Sequence, residues 1–161
     1  MTYSVNGTQY VAVEAGWGGP TTLANRPIGK GKIGPGRLVV FSIGGTTTLK
    51  PVEQTVTPVP MPTFKLAVSE PEIAEGSNLF ATFCSRCHGG DVVSSGLVPD
   101  LRYTNAAMHQ MFQQVVLGGA LREFGMPSFS EDLTAAQVRS IEGYVLSRAQ
   151  ESAQADAAAK H

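Results

Sequence analysis

Cysteine is nearly absent from this chain, with two among 161 residues, Cys84 and Cys87. A pair so close together cannot staple a small secreted scaffold, so a disulfide-built fold is excluded. Long apolar runs are missing too, and none approaches the roughly 18 residues that a membrane helix needs. The opening stretch, Met1-Thr2-Tyr3-Ser4-Val5, has no basic region followed by an apolar one, so no signal peptide is visible. Charged residues are few, 16% against 42% hydrophobic, a balance that suits a folded chain rather than a disordered one. The basic residues are sparse and lack interleaved aromatics, which argues against a nucleic-acid partner.

The charge that is present is unevenly spread. Residues 1–65 hold six Lys and Arg against two acidic residues, whereas residues 66–161 hold six against eleven. Two segments with different surfaces account for this, as would an acidic half that faces a basic partner. Three zones and a tail are legible. Residues 1–49 read as strands and turns. Asn6-Gly7 sits between Thr2–Val5 and Thr8–Val13, a strong hairpin signal that pairs Val5 with Thr8 and Tyr3 with Tyr10. A glycine-rich stretch follows, and Arg37–Ile43 is a further strand. Two or three strands with open edges do not make an independent unit, so this zone reads as part of a larger β structure. Residues 50–68, with Pro51, Pro58, Pro60 and Pro62, form an extended linker.

Residues 69–149 read as helical. Ser69 and Glu72 stand at capping-box spacing with Pro71 in the first turn, and Thr134 and Gln137 make a second such pair. Between them, Met108, Met111, Phe112 and Val115 recur at helical spacing, which predicts one helix ended by Gly118-Gly119 with both methionines in the core. The Ala-rich residues 150–161 are expected to fray into a flexible tail.

The chemistry centres on Cys84-Ser85-Arg86-Cys87-His88. Two thiols three positions apart on a helical turn can both add across the vinyl groups at one edge of a haem. The next residue's imidazole then reaches the iron. Two other uses of these residues remain open: a thioredoxin-like dithiol, which would follow a strand, and a structural zinc site, for which the ligands fall short of four. For the second axial position, Met126 stands out among five methionines. It lies in the loop Phe124-Gly125-Met126-Pro127-Ser128-Phe129, where glycine permits close approach and proline stiffens the chain. Met1 is terminal and Met61 lies in the proline linker; His109 and an open position are the alternatives. A His/Met pair would raise the potential and leave the iron no free position for substrate chemistry.

On these residues, 70–149 resemble a class I c-type cytochrome domain. Gly76 and Phe80 match the glycine and aromatic of that family's first helix, and Tyr144 matches the aromatic of the last helix, which crosses it. The resemblance implies one covalent haem c on Cys84 and Cys87, with His88 and Met126 as axial ligands. In Leu97-Val98-Pro99-Asp100-Leu101 it implies that the Pro99 carbonyl accepts from the ring of His88.

The N-terminal zone, from Tyr3 to Gly19 and from Gly36 to Phe41, is similar to the last propeller strands of quinohaemoprotein alcohol dehydrogenases. That likeness implies a mainly α cytochrome behind a propeller remnant. It also implies a quinoprotein propeller domain or subunit as electron donor, and another cytochrome, a copper protein or a quinone as acceptor. The pyrroloquinoline quinone (PQQ) and calcium of that family belong to upstream propeller residues that this sequence lacks, so no catalytic residue is assigned. The expected role is electron transfer in the periplasm. The other readings are a part of an active PQQ-dependent alcohol dehydrogenase and a free-standing periplasmic shuttle.

Overall fold

In a computed structural model, the described residues are 1–15, 37–50, 57–94 and 98–159. The glycine-rich stretch with Trp17, and Pro51, lie outside them. Strands β1 (Thr2–Val5), β2 (Thr8–Ala15) and β3 (Arg37–Ser42) form an antiparallel sheet in the order β1-β2-β3. The hairpin has the expected register, Val5 opposite Thr8 and Tyr3 opposite Tyr10, with the two tyrosine rings stacked at 5.3 Å. Asn6 and Gly7 both take positive φ, as a tight two-residue turn demands.

The rest is helical: α1 (Glu70–Phe83), α2 (Ser85–His88), α3 (Ala106–Gln110), α4 (Phe112–Val116) and α5 (Ala135–Ala158). The start of α1 is held where the Glu72 carboxylate accepts from both the N–H and the hydroxyl of Ser69, 2.6 Å each. At the start of α5, the Thr134 hydroxyl accepts from the N–H of Gln137, whose side chain accepts in return from the N–H of Thr134.

Helices α1 and α5 cross in close contact, and glycine is the reason. A Cβ on Gly76 would lie 2.0 Å from the carbonyl oxygen of Ser140. One turn on, Phe80 packs against Tyr144 at 5.6 Å between ring centroids. Phe80, Val92, Val138, Ile141 and Val145 are all but sealed from solvent and form the centre of the core. Burying an aromatic such as Phe80 contributes about 3 kcal/mol.

Three local expectations change. The single helix around Met111 is two short helices, because Met111 leaves helical geometry (φ −96°, ψ 2°). The break rephases the apolar stripe. His109, Phe112, Val115 and Val116 turn inward, while Met108 and Met111 are exposed rather than core. Second, the residues expected to fray from 150 onward continue α5 to Ala158, with Ala153 buried.

Third, residues 57–68 lack helix or strand, as their prolines require, yet lie along the helical domain. The carbonyl of Thr57 accepts from the Tyr103 hydroxyl (2.6 Å), and the N–H of Val59 donates to Asp156 (2.7 Å). Arg139 donates to the carbonyl of Ala67, and Val68 occupies the space left by Gly143. This part of the predicted linker is a strap, and the far end of α5 is one of its anchors.

Replacing Gly76 with Ala should separate α1 from α5 and cost about 3 kcal/mol, the upper part of the range for overpacked cores. Urea unfolding of Gly76→Ala beside the parent measures it; an unchanged midpoint would show that the helices can part without loss.

Candidate functional site

The end of α1 and the turn after it place the two cysteines and His88. Cys84 terminates α1, and its carbonyl accepts from the N–H groups of both Cys87 (3.2 Å) and His88 (2.9 Å). The three side chains thus hang from one tight turn, with Cys84 half-buried, Cys87 exposed and both thiols free. Gly89 ends the turn in a conformation (φ 80°) that suits glycine, and a Cβ there would strike the carbonyl of Val93 at 1.9 Å. Beyond it the chain bends sharply, with Asp91 and the fully buried Val92 both at positive φ. For a β-branched residue that is strained backbone.

Burial, reinforced by the neighbouring Cys87, pushes the Cys84 thiol up to about 12, so it stays in its neutral form. His88 is held below its ordinary value, chiefly by burial, against the opposing pull of the Pro99 carbonyl and the Asp100 carboxylate. It is therefore a neutral imidazole at physiological pH, as a metal ligand must be. Its Nδ1 lies 3.2 Å from the carbonyl oxygen of Pro99. A carbonyl oxygen brings no proton, so Nδ1 must donate, which leaves the lone pair on Nε2.

Met126 lies in the loop after the 3₁₀ turn Arg122–Phe124, where Gly125 takes the left-handed conformation (φ 92°). Its N–H donates to the carbonyl of Leu121 (3.2 Å), and its half-buried side chain packs against the central core cluster, as does Cys84. The segments carrying Cys84 and Met126 also meet through Phe83 and Phe129, edge to face at 6.2 Å.

His109, the alternative second axial ligand, is committed elsewhere. It is buried, its Nδ1–H donates to the equally buried Glu142 (3.0 Å), and its ring stacks on Phe64 of the strap at 4.9 Å. The sequence reading missed Glu142, whose position on α5 gave no sign of an inward carboxylate. A thioredoxin-like arrangement is not present, since the motif closes a helix rather than following a strand. Among the described residues, no group of three or more His, Cys, Asp and Glu side chains could cage a metal ion, which leaves structural zinc unsupported. The donor chemistry fits a c-type haem: two thiols on one turn, a neutral imidazole with Nε2 available, and a thioether packed against the same core cluster as Cys84.

Comparison with known proteins agrees. The family described as cytochrome C oxidase, cbb3-type, subunit III matches residues 71–145. Among curated proteins, the chain is 41% identical over 159 residues to quinohemoprotein alcohol dehydrogenase ADH IIB of Pseudomonas putida, covering 92% of this chain and 22% of that protein. It is 36% identical to the dehydrogenase subunit of the alcohol dehydrogenase (quinone) of Gluconobacter oxydans, covering 94% of this chain and 20% of the relative. The chain thus spans about a fifth of the length of these relatives. A solved structure of quinohemoprotein alcohol dehydrogenase ADHIIG from P. putida HK5 superposes with a TM-score of 0.66 at 36% identity, over 95% of this chain and 22% of that one. The Comamonas testosteroni quinohemoprotein alcohol dehydrogenase follows with a TM-score of 0.55 at 29% identity, over 93% of this chain and 21% of that one.

The Phe83–Phe129 contact should show as a coupling of about 1 kcal/mol in a double-mutant cycle with alanine at each position, read by urea unfolding. Strict additivity would mean that the two segments are not joined through these rings.

Proposed function

We propose, for a chain that belongs with the quinohaemoprotein alcohol dehydrogenases as their C-terminal cytochrome part, that its work is one-electron transfer through a haem held by Cys84, Cys87, His88 and Met126. The observation that carries this reading is the bond from His88 Nδ1–H to Pro99, beside two thiols on the same turn. Cys84 and Cys87 anchor the cofactor through thioether bonds, so a small domain need not retain it by packing alone. Pro99 sets the tautomer and ring angle of His88, which presents Nε2 to the iron. Met126 would hold the iron through a neutral, soft sulfur, a donor that favours the reduced state. The haem, when bound, supplies an Fe(III)/Fe(II) couple.

The sheet supports a propeller as the donor. Tyr3, Val5, Leu38 and Val40 share one face, and Val11, Val13 and Phe41 the other, by the strand register; all are exposed. Among the described residues, the sheet carries apolar side chains on both sides and has β1 and β3 at its edges, which suits a place inside a larger β structure. Electrons would enter from a quinoprotein centre carrying PQQ and leave to another cytochrome, a copper protein or a quinone. Attachment of haem to this motif supports a location in the periplasm. Among the described residues no helix is long and apolar enough to cross a membrane.

Three experiments test this. Produced with a cytochrome c maturation system, the chain should keep haem on denaturing gels, and Cys84→Ala/Cys87→Ala should lose it; covalent haem in that double variant would end the assignment. Met126→Ala should retain the haem, lower the potential and remove the weak sulfur-to-iron band at the red end of the oxidised spectrum. Persistence of that band would mean another second ligand. For the donor, the oxidised chain mixed with alcohol, PQQ and calcium should stay oxidised until a propeller subunit is added. Alcohol-dependent reduction without one would assign the dehydrogenase activity to this chain.

A further inference from the structure

The bond that sets His88 is made by a loop carbonyl, and its length of 3.2 Å is at the long limit for an N–H···O contact. A displacement of about half an ångström would remove most of it, so something must hold Pro99 in place. The next residues do this. Asp100 Oδ1 accepts from the backbone N–H of Arg102 (3.1 Å) and from its Nε (3.0 Å). Oδ2 accepts from the other arm of the guanidinium (2.7 Å) and from the N–H of Ser94 (3.2 Å). Each carboxylate oxygen thus takes two donors, in the forked geometry that only arginine offers.

The remaining arm of Arg102 reaches Ser152 on α5 (3.3 Å). The Ser94 hydroxyl closes the loop on the carbonyl of Val98 (2.6 Å). Both charged side chains are largely buried, at 17% and 19% exposure, so the pair is shielded from the solvent that weakens exposed bridges.

We infer that Asp100 and Arg102 are positioning residues for the axial histidine: their clamp ties the Pro99 loop to Ser94 and to α5, and so keeps the Pro99 carbonyl on His88 Nδ1. The assignment rests on His88 being the axial ligand. A firm Nδ1–H···O bond makes the imidazole a stronger electron donor and favours the oxidised iron. Loosening the clamp should therefore raise the potential, although neither residue touches the haem ligand's ring directly.

The test uses the full chain carrying haem. Asp100→Asn/Arg102→Gln removes the fork while keeping the pair's net charge at zero. Because the Asp100 carboxylate also acts on His88 through its charge, Arg102→Lys, which leaves every charge in place, separates the hydrogen-bonding role from that effect. The midpoint potential should rise by the equivalent of at least a threefold change in the Fe(III)/Fe(II) ratio, about 28 mV at 59 mV per tenfold for one electron. The Nδ1 proton of His88, followed by NMR in the reduced protein, should exchange with solvent about tenfold faster. Arg102→Lys, which keeps the charge but not the fork, should shift both readouts the same way, and Ser152→Ala should do so more weakly.

Should the double variant fold poorly, the Lys and Ala variants carry the test. Unchanged potential and exchange in variants that retain covalent haem would overturn the clamp, as would wild-type behaviour of Arg102→Lys. A parent chain that acquires no covalent haem is a different failure, that of the electron-transfer reading itself.

Discussion

Backbone touches backbone where α1 crosses α5, and nearly everything else in the helical domain is placed by that contact. The absence of a side chain at Gly76 brings the Ser140 carbonyl within reach of its Cα. At that distance Phe80 and Tyr144 can meet a turn later, and Ile141 and Val145 seal the space between the helices. The last turn of α1 is then fixed in direction, and Cys84 is its next residue. The direction of Cys84, Cys87 and His88 is set with it, since all three hang from the turn that follows.

Around that axis the domain orders its polar groups by burial. His88 is held neutral by burial and given its tautomer by one carbonyl. Asp100 and Arg102 neutralise each other beside it with their hydrogen-bonding capacity directed into the loop. His109 and Glu142 form a second buried pair, covered by Phe64 of the strap. Buried pairs of this kind add little net stability compared with apolar packing, but each demands one geometry. The strap is tied to the same loop, since Tyr103 follows Arg102 and donates to Thr57. The strap is therefore anchored beside the loop whose Pro99 carbonyl meets His88.

The sheet follows a different rule. Its register and turn are local, and its two apolar faces have no partner among the described residues of this domain. The relatives that the chain resembles are about five times as long. The helical portion closes its own core, whereas the sheet does not.

Local chemistry was legible in the residues: the Asn6-Gly7 turn, the capping pairs at Ser69–Glu72 and Thr134–Gln137, the Cys84–His88 motif, and the glycine and aromatics of the helix crossing. Each is set by neighbours within a few positions or by a pattern with one physical meaning. Met108 and Met111 could not be placed in this way, because a one-residue departure from helical geometry at Met111 rephases the stripe without any proline or glycine to announce it. The strap, the continuation of α5 to Ala158 and the inward carboxylate of Glu142 depend on partners tens of residues away: Val59 with Asp156, and Glu142 with His109. Sequence alone determined that two thiols and an imidazole would share one turn at the close of an amphipathic helix. Tertiary structure decided what ties the Pro99 loop in place, because the bond from Arg102 to Ser152 on α5 exists only once packing has brought its two ends together.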